Sequence, residues 1–299
     1  MSRPQPPHGE ALAVWGLLLA DLLAVLVVYS VVDPRELYNV SHEGIAGGSS
    51  RALVQLNFPI ALIAIPIVVR AVSVLPRRAW LAGAPAIALC AFVAVPGVLD
   101  QDDLDARPVN VVGAVGVVLA LALSVAATRR AGAGFAPGRP GDRWRIAAAL
   151  VVIAVSLPWF TAEAGFHLPG GIFLTDELYA EPGKPPTASV HLGHHHGFAG
   201  TLFVLSALLL SRTSPLHAGT RRAYAVLVSL ALVYGSTNVV QDLWHEQVVK
   251  REWTSWDVPT ALFPAVSLMW GLMLTLAAIV FLLGFARRAV PASGDNHPA

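Results

Sequence analysis

Apolar residues run along this chain in long uninterrupted blocks, without heptads or strict alternation. Eight blocks reach the roughly 20 residues a helix needs to cross a bilayer core about 30 Å thick: 11–32, 52–74, 79–99, 108–128, 145–166, 190–211, 222–245 and 259–285. None alternates with period 2, which argues against a β-barrel. The first block is too long for a signal-peptide core and has no small-residue cleavage site before Asp33-Pro34, so it reads as retained. The pattern predicts an all-α, polytopic integral membrane bundle. A tail over 1–10 leads into one transmembrane domain over 11–285, and a second tail covers 286–299. Within the domain, the Gly/Pro-rich stretch 131–143 links spans four and five, and 168–189 forms the longest loop on the opposite side.

Composition agrees with this picture and removes other classes. The 299 residues are 55% hydrophobic and only 13% charged, about half the charge of a soluble domain. A net charge of +1 leaves no concentrated basic surface for nucleic acid. Cys90 is the lone cysteine, which excludes both a disulfide framework and a thiolate metal site.

The few charges are sorted along the chain. With eight crossings, the arginines at 3, 70, 77, 78, 129, 130, 139, 143, 145, 212, 221, 222, 287 and 288 fall on one side. Only Arg35, Arg51, Arg107, Lys184, Lys250 and Arg251 fall on the other. The bias of Arg and Lys toward cytoplasmic loops then predicts that both termini are cytoplasmic. Every acidic residue except Glu10, Asp21, Asp142 and Asp295 falls outside, together with His42, His167, His191, His194, His195, His196 and His245. Chemistry is therefore expected on the extracytoplasmic face. Usage rich in Ala, Val, Arg and Pro, with Lys184 and Lys250 as the sole lysines, points to a high-GC bacterial source and hence to a plasma-membrane location.

Three consecutive spans carry the candidate chemistry at this outer face. Span five ends with Glu163 and His167 four residues apart, on one side of a helix that Pro169 and Gly170 terminate. Span six, if it starts near His191 to reach full length, sets His191, His194 and His195 at i, i+3 and i+4, with His196 about 100° away. Span seven ends with Asn238, Asp242 and His245 on one stripe, and Glu246 four residues beyond Asp242. Helices build metal sites by such spacing, because it brings two side chains within reach of one ion. The expected ligands are His167, His191, His194, His195 and His245. Glu163 and Asp242 would serve as ligand or general base. Imidazole and carboxylate without thiolate suit Zn, Fe, Mn or Cu.

Other polar positions read more plainly. The acidic run Asp100, Asp102, Asp103, Asp105 fits either a divalent cation or simple charge segregation. Its order of Asp, Ala and Arg is similar to the CDP-alcohol phosphotransferase motif, but Leu104 stands where that motif has glycine. Arg51 is expected to snorkel at the interface, and Tyr29, Trp159, Trp244, Trp253 and Trp256 to form an aromatic belt. Asp21, mid-span, calls for a hydrogen-bond partner such as Gln55 or Asn57 on another helix, or for a place on an ion path. The functional expectation is a metal-dependent membrane enzyme acting on a lipid-embedded or lipid-linked substrate. The alternatives are a transporter or metal-handling protein that uses the same cluster for uptake, and a non-catalytic assembly subunit.

Overall fold

The structure is a computed structural model that describes residues 7–100, 103–169, 173, 177–180, 186–215 and 217–285. Arg3, Asp102, Asp176, Glu181, Lys184, Arg287, Arg288 and Asp295 lie outside them, as do half of the loop 168–189 and both chain ends. The described chain is overwhelmingly helical. Its helices are α1 (Gly9–Val31), α2 (Gly44–Gln55), α3 (Leu62–Val72), α4 (Trp80–Ala91), α5 (Asn110–Ala131), α6 (Asp142–Val155), α7 (Leu157–Glu163), α8 (His196–Leu210), α9 (Ala218–Trp244) and α10 (Leu268–Gly284). Strand pairing among the described residues is confined to β1 (Leu178–Tyr179) against β2 (Thr187–Ala188) and one bridge, Leu37 to Leu192.

Five helical segments are long and apolar enough to cross a membrane: Gly9–Val31, Gly44–Val72, Arg77–Ala94, Asn110–Ala131 and Ala218–Val249. The bent pair α6–α7 makes six if it counts as one span. The helices α8 and α10 are apolar but shorter, at 15 and 17 residues. Helix length thus supports five or six spans where the apolar blocks suggested eight.

The segment Gly44–Val72 is the axis of the bundle: 72% of its most apolar stretch is buried, against 22–44% in the other four. It is also broken. Pro59 has no N–H to give, and Phe58 leaves the helical region at φ −135, ψ 122. Asn57 repairs the gap, its side-chain amide donating to the carbonyls of Leu53 and of Asn110 at the start of α5. The helices α8 and α9 approach closely where Gly200 faces Gly235, and a Cβ on either would strike the other's carbonyl oxygen.

A second break sets the angle of α7. Pro158 at the start of that helix cannot donate to the preceding turn, and the chain bends by 60° between α6 and α7. The Ser156 hydroxyl sits in the notch, bonded to the Val152 carbonyl and paired with Thr201 of α8. This tilt swings Trp159 and Glu163 inward over α8.

Polar contacts gather at the two ends of the bundle. At one end the linker 131–143 is pinned to the start of α1, with the His8 and Gly9 amides donating to the Gly132 and Gly134 carbonyls. Glu10 accepts from the Ala136 amide and pairs with Arg212 at 3.3 Å, and Arg70 donates to the Pro7 carbonyl. At the other end, Leu37 meets Leu192 and the Gly193 amide donates to the Ala162 carbonyl. There Ser41 and His42 hold Asp105. Burial, reinforced by the nearby Arg70 guanidinium, pushes the His8 imidazole down to about 4. Its ordinary value in the unfolded chain is 6.5, so between those values the unfolded state binds more protons. Stability from this group is complete above pH 6.5 and is lost as pH falls through 4. The thermal midpoint of the purified protein should drop across that window, and His8→Phe should drop less; parallel curves would refute the assignment.

Candidate functional site

The histidine run does not extend α8. The helix begins at His196, and His195 caps it in an extended conformation at φ −132, ψ 134. Residues 191–195 instead form a strap between the Leu37–Tyr38 turn and the end of α7. Tyr38 donates its amide to the Leu192 carbonyl, and Gly193 donates to Ala162. Gly193 has φ +103, and a Cβ there would meet the Tyr29 hydroxyl, so a helix through this point is closed off twice over. The expected i, i+3, i+4 face of His191, His194 and His195 is therefore replaced by an extended arrangement. Here His191 stacks between Tyr38 at 4.5 Å and His195 at 4.4 Å.

His195 points instead to the end of α9. There the backbone loosens into a π-turn over His245–Val249, the kind of irregularity that recurs at functional sites. Asp242 and Glu246, four apart, bracket the change. His195, Asp242 and Glu246 each offer one ligand atom, and these atoms lie within 4.8 Å of one another. The His195 Nδ1 is 2.8 Å from Glu246 Oε1.

Each of the three residues has its other polar atom anchored. The His195 Nε2 lies 2.8 Å from the His191 carbonyl, which can only accept, so the proton sits on Nε2 and Nδ1 faces the carboxylates. Trp159 donates its indole N–H to Glu246 Oε2 at 2.6 Å. The Gly197 amide, in the first turn of α8, donates to Asp242 Oδ2 at 2.6 Å, and a carboxylate is favoured at a helix N-terminus. Gly197 is obligatory for this packing, because a Cβ would run into the Trp159 ring.

Electrostatics match. Burial alone would lower His195, but the Glu246 carboxylate, helped by its hydrogen bond and by Asp242, pushes the imidazole up to about 9. His191 and His194 move the opposite way, held well below the usual imidazole range by burial first and then by His195 and Arg51 respectively.

The remaining expected ligands sit elsewhere. His194 is buried and accepts at Nδ1 from Arg51 Nη2 at 2.7 Å. His245 turns toward Asp257 at 3.5 Å. His245 and Asp257 line a cavity of about 160 Å³ together with His196, Asn238, Gln241 and Asp242. His167 lies beyond the end of α7, exposed, after Gly165 reverses the chain at φ +84, so it does not share a helix face with Glu163. Glu163 is 3% exposed and is not one of the three grouped ligands; both its oxygens are buried without a hydrogen-bond partner among the described residues, and it feels Arg51 and His195 electrostatically.

Two structural expectations are corrected. Arg51 is 1% exposed: it is no interfacial snorkel but an interior cation, 5.5 Å from the Tyr29 ring centroid. Tyr29 and Trp159 are likewise buried, at 0% and 1%, and of the five expected belt residues Trp253 and Trp256 alone are largely exposed. Spacing alone could have assigned Glu246, i+4 from Asp242, as a ligand. Nothing local in the sequence marks Trp159 or Gly197 as its supports.

Compared with known proteins, the chain matches no family model, no curated protein and no solved structure. The functional reading therefore rests on the geometry alone. Removing Glu246 strands a buried imidazole, so Glu246→Ala should cost about 3–5 kcal/mol of stability. Trp159→Phe leaves one carboxylate oxygen without its donor and should cost about 1–3 kcal/mol. Chemical denaturation of the detergent-solubilised protein measures both, and equal midpoints for the two variants would contradict this hierarchy.

Proposed function

We propose that the chain is a multi-pass plasma-membrane enzyme whose centre is a divalent metal held by His195, Asp242 and Glu246. One observation carries the reading: all three ligands are fixed from behind by the His191 carbonyl, the Gly197 amide and the Trp159 indole. Outer partners of this kind orient metal ligands and set the imidazole tautomer. Charge supports the same conclusion. An ion that takes the place of the His195 Nδ1 proton would leave a neutral imidazole and two carboxylates, whose two negative charges a divalent ion cancels where uncompensated charge is costly. Zn, Fe or Mn suits this nitrogen and oxygen set. Such an ion would supply Lewis-acid activation of a carbonyl or phosphoryl group.

The surroundings favour an amphiphilic, lipid-embedded or lipid-linked substrate. The polar cavity beside Asp242 shares Leu262 with an apolar cavity of about 230 Å³, lined by Leu62, Phe203, Tyr234 and Trp270 among others. One stripe of α9 passes from Tyr234 in the apolar cavity to Asn238 and Asp242 in the polar one. A head group would occupy the first cavity and a hydrocarbon chain the second. The distribution of arginines supports an extracytoplasmic face for this centre.

Metal analysis of the untagged protein by mass spectrometry should find about one ion per chain, and His195→Ala, Asp242→Ala and Glu246→Ala should each reduce it at least tenfold. Wild-type protein without metal after supplementation with Zn, Fe and Mn would refute the assignment. The sidedness has its own check: a reporter fused after Arg288 should read cytoplasmic, and an external reading would reverse the orientation.

A further inference from the structure

Near the His195 group lies a second cluster of buried polar side chains, contributed by α1, α2 and α7. Asp21 from α1 is 6% exposed and accepts at Oδ2 from Gln55 Nε2 at 2.7 Å. Gln55 and Arg51, one turn apart on α2, are each 1% exposed, and Glu163 of α7 is 3% exposed. Asp21 feels both Glu163 and Arg51 electrostatically, and Glu163 feels Arg51 and His195. These residues therefore share one low-dielectric space.

Its hydrogen bonding does not close. Asp21 Oδ1, Gln55 Oε1 and both oxygens of Glu163 are buried with no donor among the described residues. Four acceptor oxygens from three helices are thus buried without a donor, and the neighbouring Arg51 Nε and Nη1 and Tyr29 hydroxyl make no hydrogen bond to them; burial penalises each such group unless something answers it. Charge does not close either. With the His195 imidazole already paired to Glu246, two carboxylates stand against the one Arg51 guanidinium, while His194 accepts from Arg51 and so stays unprotonated at Nδ1. The cluster is short of one positive charge. A divalent ion would overshoot by one and sit beside Arg51, whereas a single positive charge balances the set.

We propose that Asp21, Gln55 and Glu163 form a binding site for one monovalent cation, H⁺ or Na⁺, with Arg51 as the fixed counter-charge. The groups facing it are Arg51 from α2, Glu163 from α7, Tyr29 on its own helix, and His194 and His195 from the strap. Carboxyl and amide oxygens are hard ligands suited to Na⁺, and a carboxyl pair that shares one proton is the equivalent solution for H⁺. A carboxylate at mid-helix in α1 and a second at the end of α7 place the cation partway into the membrane. There its binding would respond to an ion gradient across the bilayer. The site is separate from the metal centre and its test reads no metal.

The full-length protein in detergent separates the two ions. Thermal unfolding in NaCl is compared with KCl and choline chloride at equal ionic strength. Infrared spectra at neutral pH, in H₂O and D₂O, report a protonated carboxyl. Na⁺ occupancy predicts a midpoint several degrees higher in NaCl, abolished by Asp21→Asn, which keeps an acceptor for Gln55. Proton occupancy predicts a carboxylic-acid C=O band in wild type that Asp21→Asn or Glu163→Gln removes. Both wild-type readings stand even if a variant fails to fold. Wild-type protein with neither a Na⁺-specific shift nor a carboxylic-acid band would overturn the proposal.

Discussion

A buried imidazole, a buried carboxylate and a half-buried one gather at one end of helix α9, and much of this end of the molecule is arranged to compensate their charge. Burying an uncompensated carboxylate in an apolar interior costs several kcal/mol, and a bilayer removes the option of reaching water. The solution is local and multiple. Trp159 and Gly197 each give a hydrogen bond to one carboxylate oxygen, and His195 faces the remaining oxygen of Glu246. The ligand atoms of His195, Asp242 and Glu246 lie within 4.8 Å of one another, close enough to hold a metal ion, which is the basis of the proposed centre. The cluster around Asp21 and Glu163 repeats the theme with a deficit of one positive charge.

The site exists because regular helices fail at three places. Pro158 bends α6 into α7 and carries Trp159 to Glu246. Gly193 keeps the strap out of helix, so that His195 enters from a cap position rather than from a helix face. The π-turn at His245–Val249 separates Glu246, which turns inward, from His245, which pairs with Asp257. Near these breaks, and at the Pro59 break in the axial segment, hydrogen bonds cross between elements: the Gly193 amide donates to the Ala162 carbonyl, the Asn57 side-chain amide to the Asn110 carbonyl, and the Ser156 and Thr201 hydroxyls pair. These cross-links give the interior the rigidity that a preformed ligand set requires.

Much of this was readable from the amino-acid order. Apolar runs located the long helices, because the bilayer imposes length and continuity on each one. The spacing of Asp242 and Glu246 puts both on one face, and of the two partners expected for Asp21, Gln55 or Asn57, the structure brings Gln55 to it. The failures share one physical origin. Periodicity describes a helix, and the histidines lie where the helix has not begun. Hence His191, His194 and His195 diverge, and His167 falls beyond a chain reversal. Arg51 was misread for a related reason. Sequence shows a cation near a helix end, but only the tertiary structure shows Tyr29 and His194 enclosing it.

The coordination itself offers the most direct measurement. X-ray absorption at the edge of the bound metal should show a first shell of nitrogen and oxygen only, with the multiple-scattering signature of a single imidazole, and that signature should vanish in His195→Ala. A shell containing sulfur, or the signature of several histidines, would contradict a centre built from His195, Asp242 and Glu246.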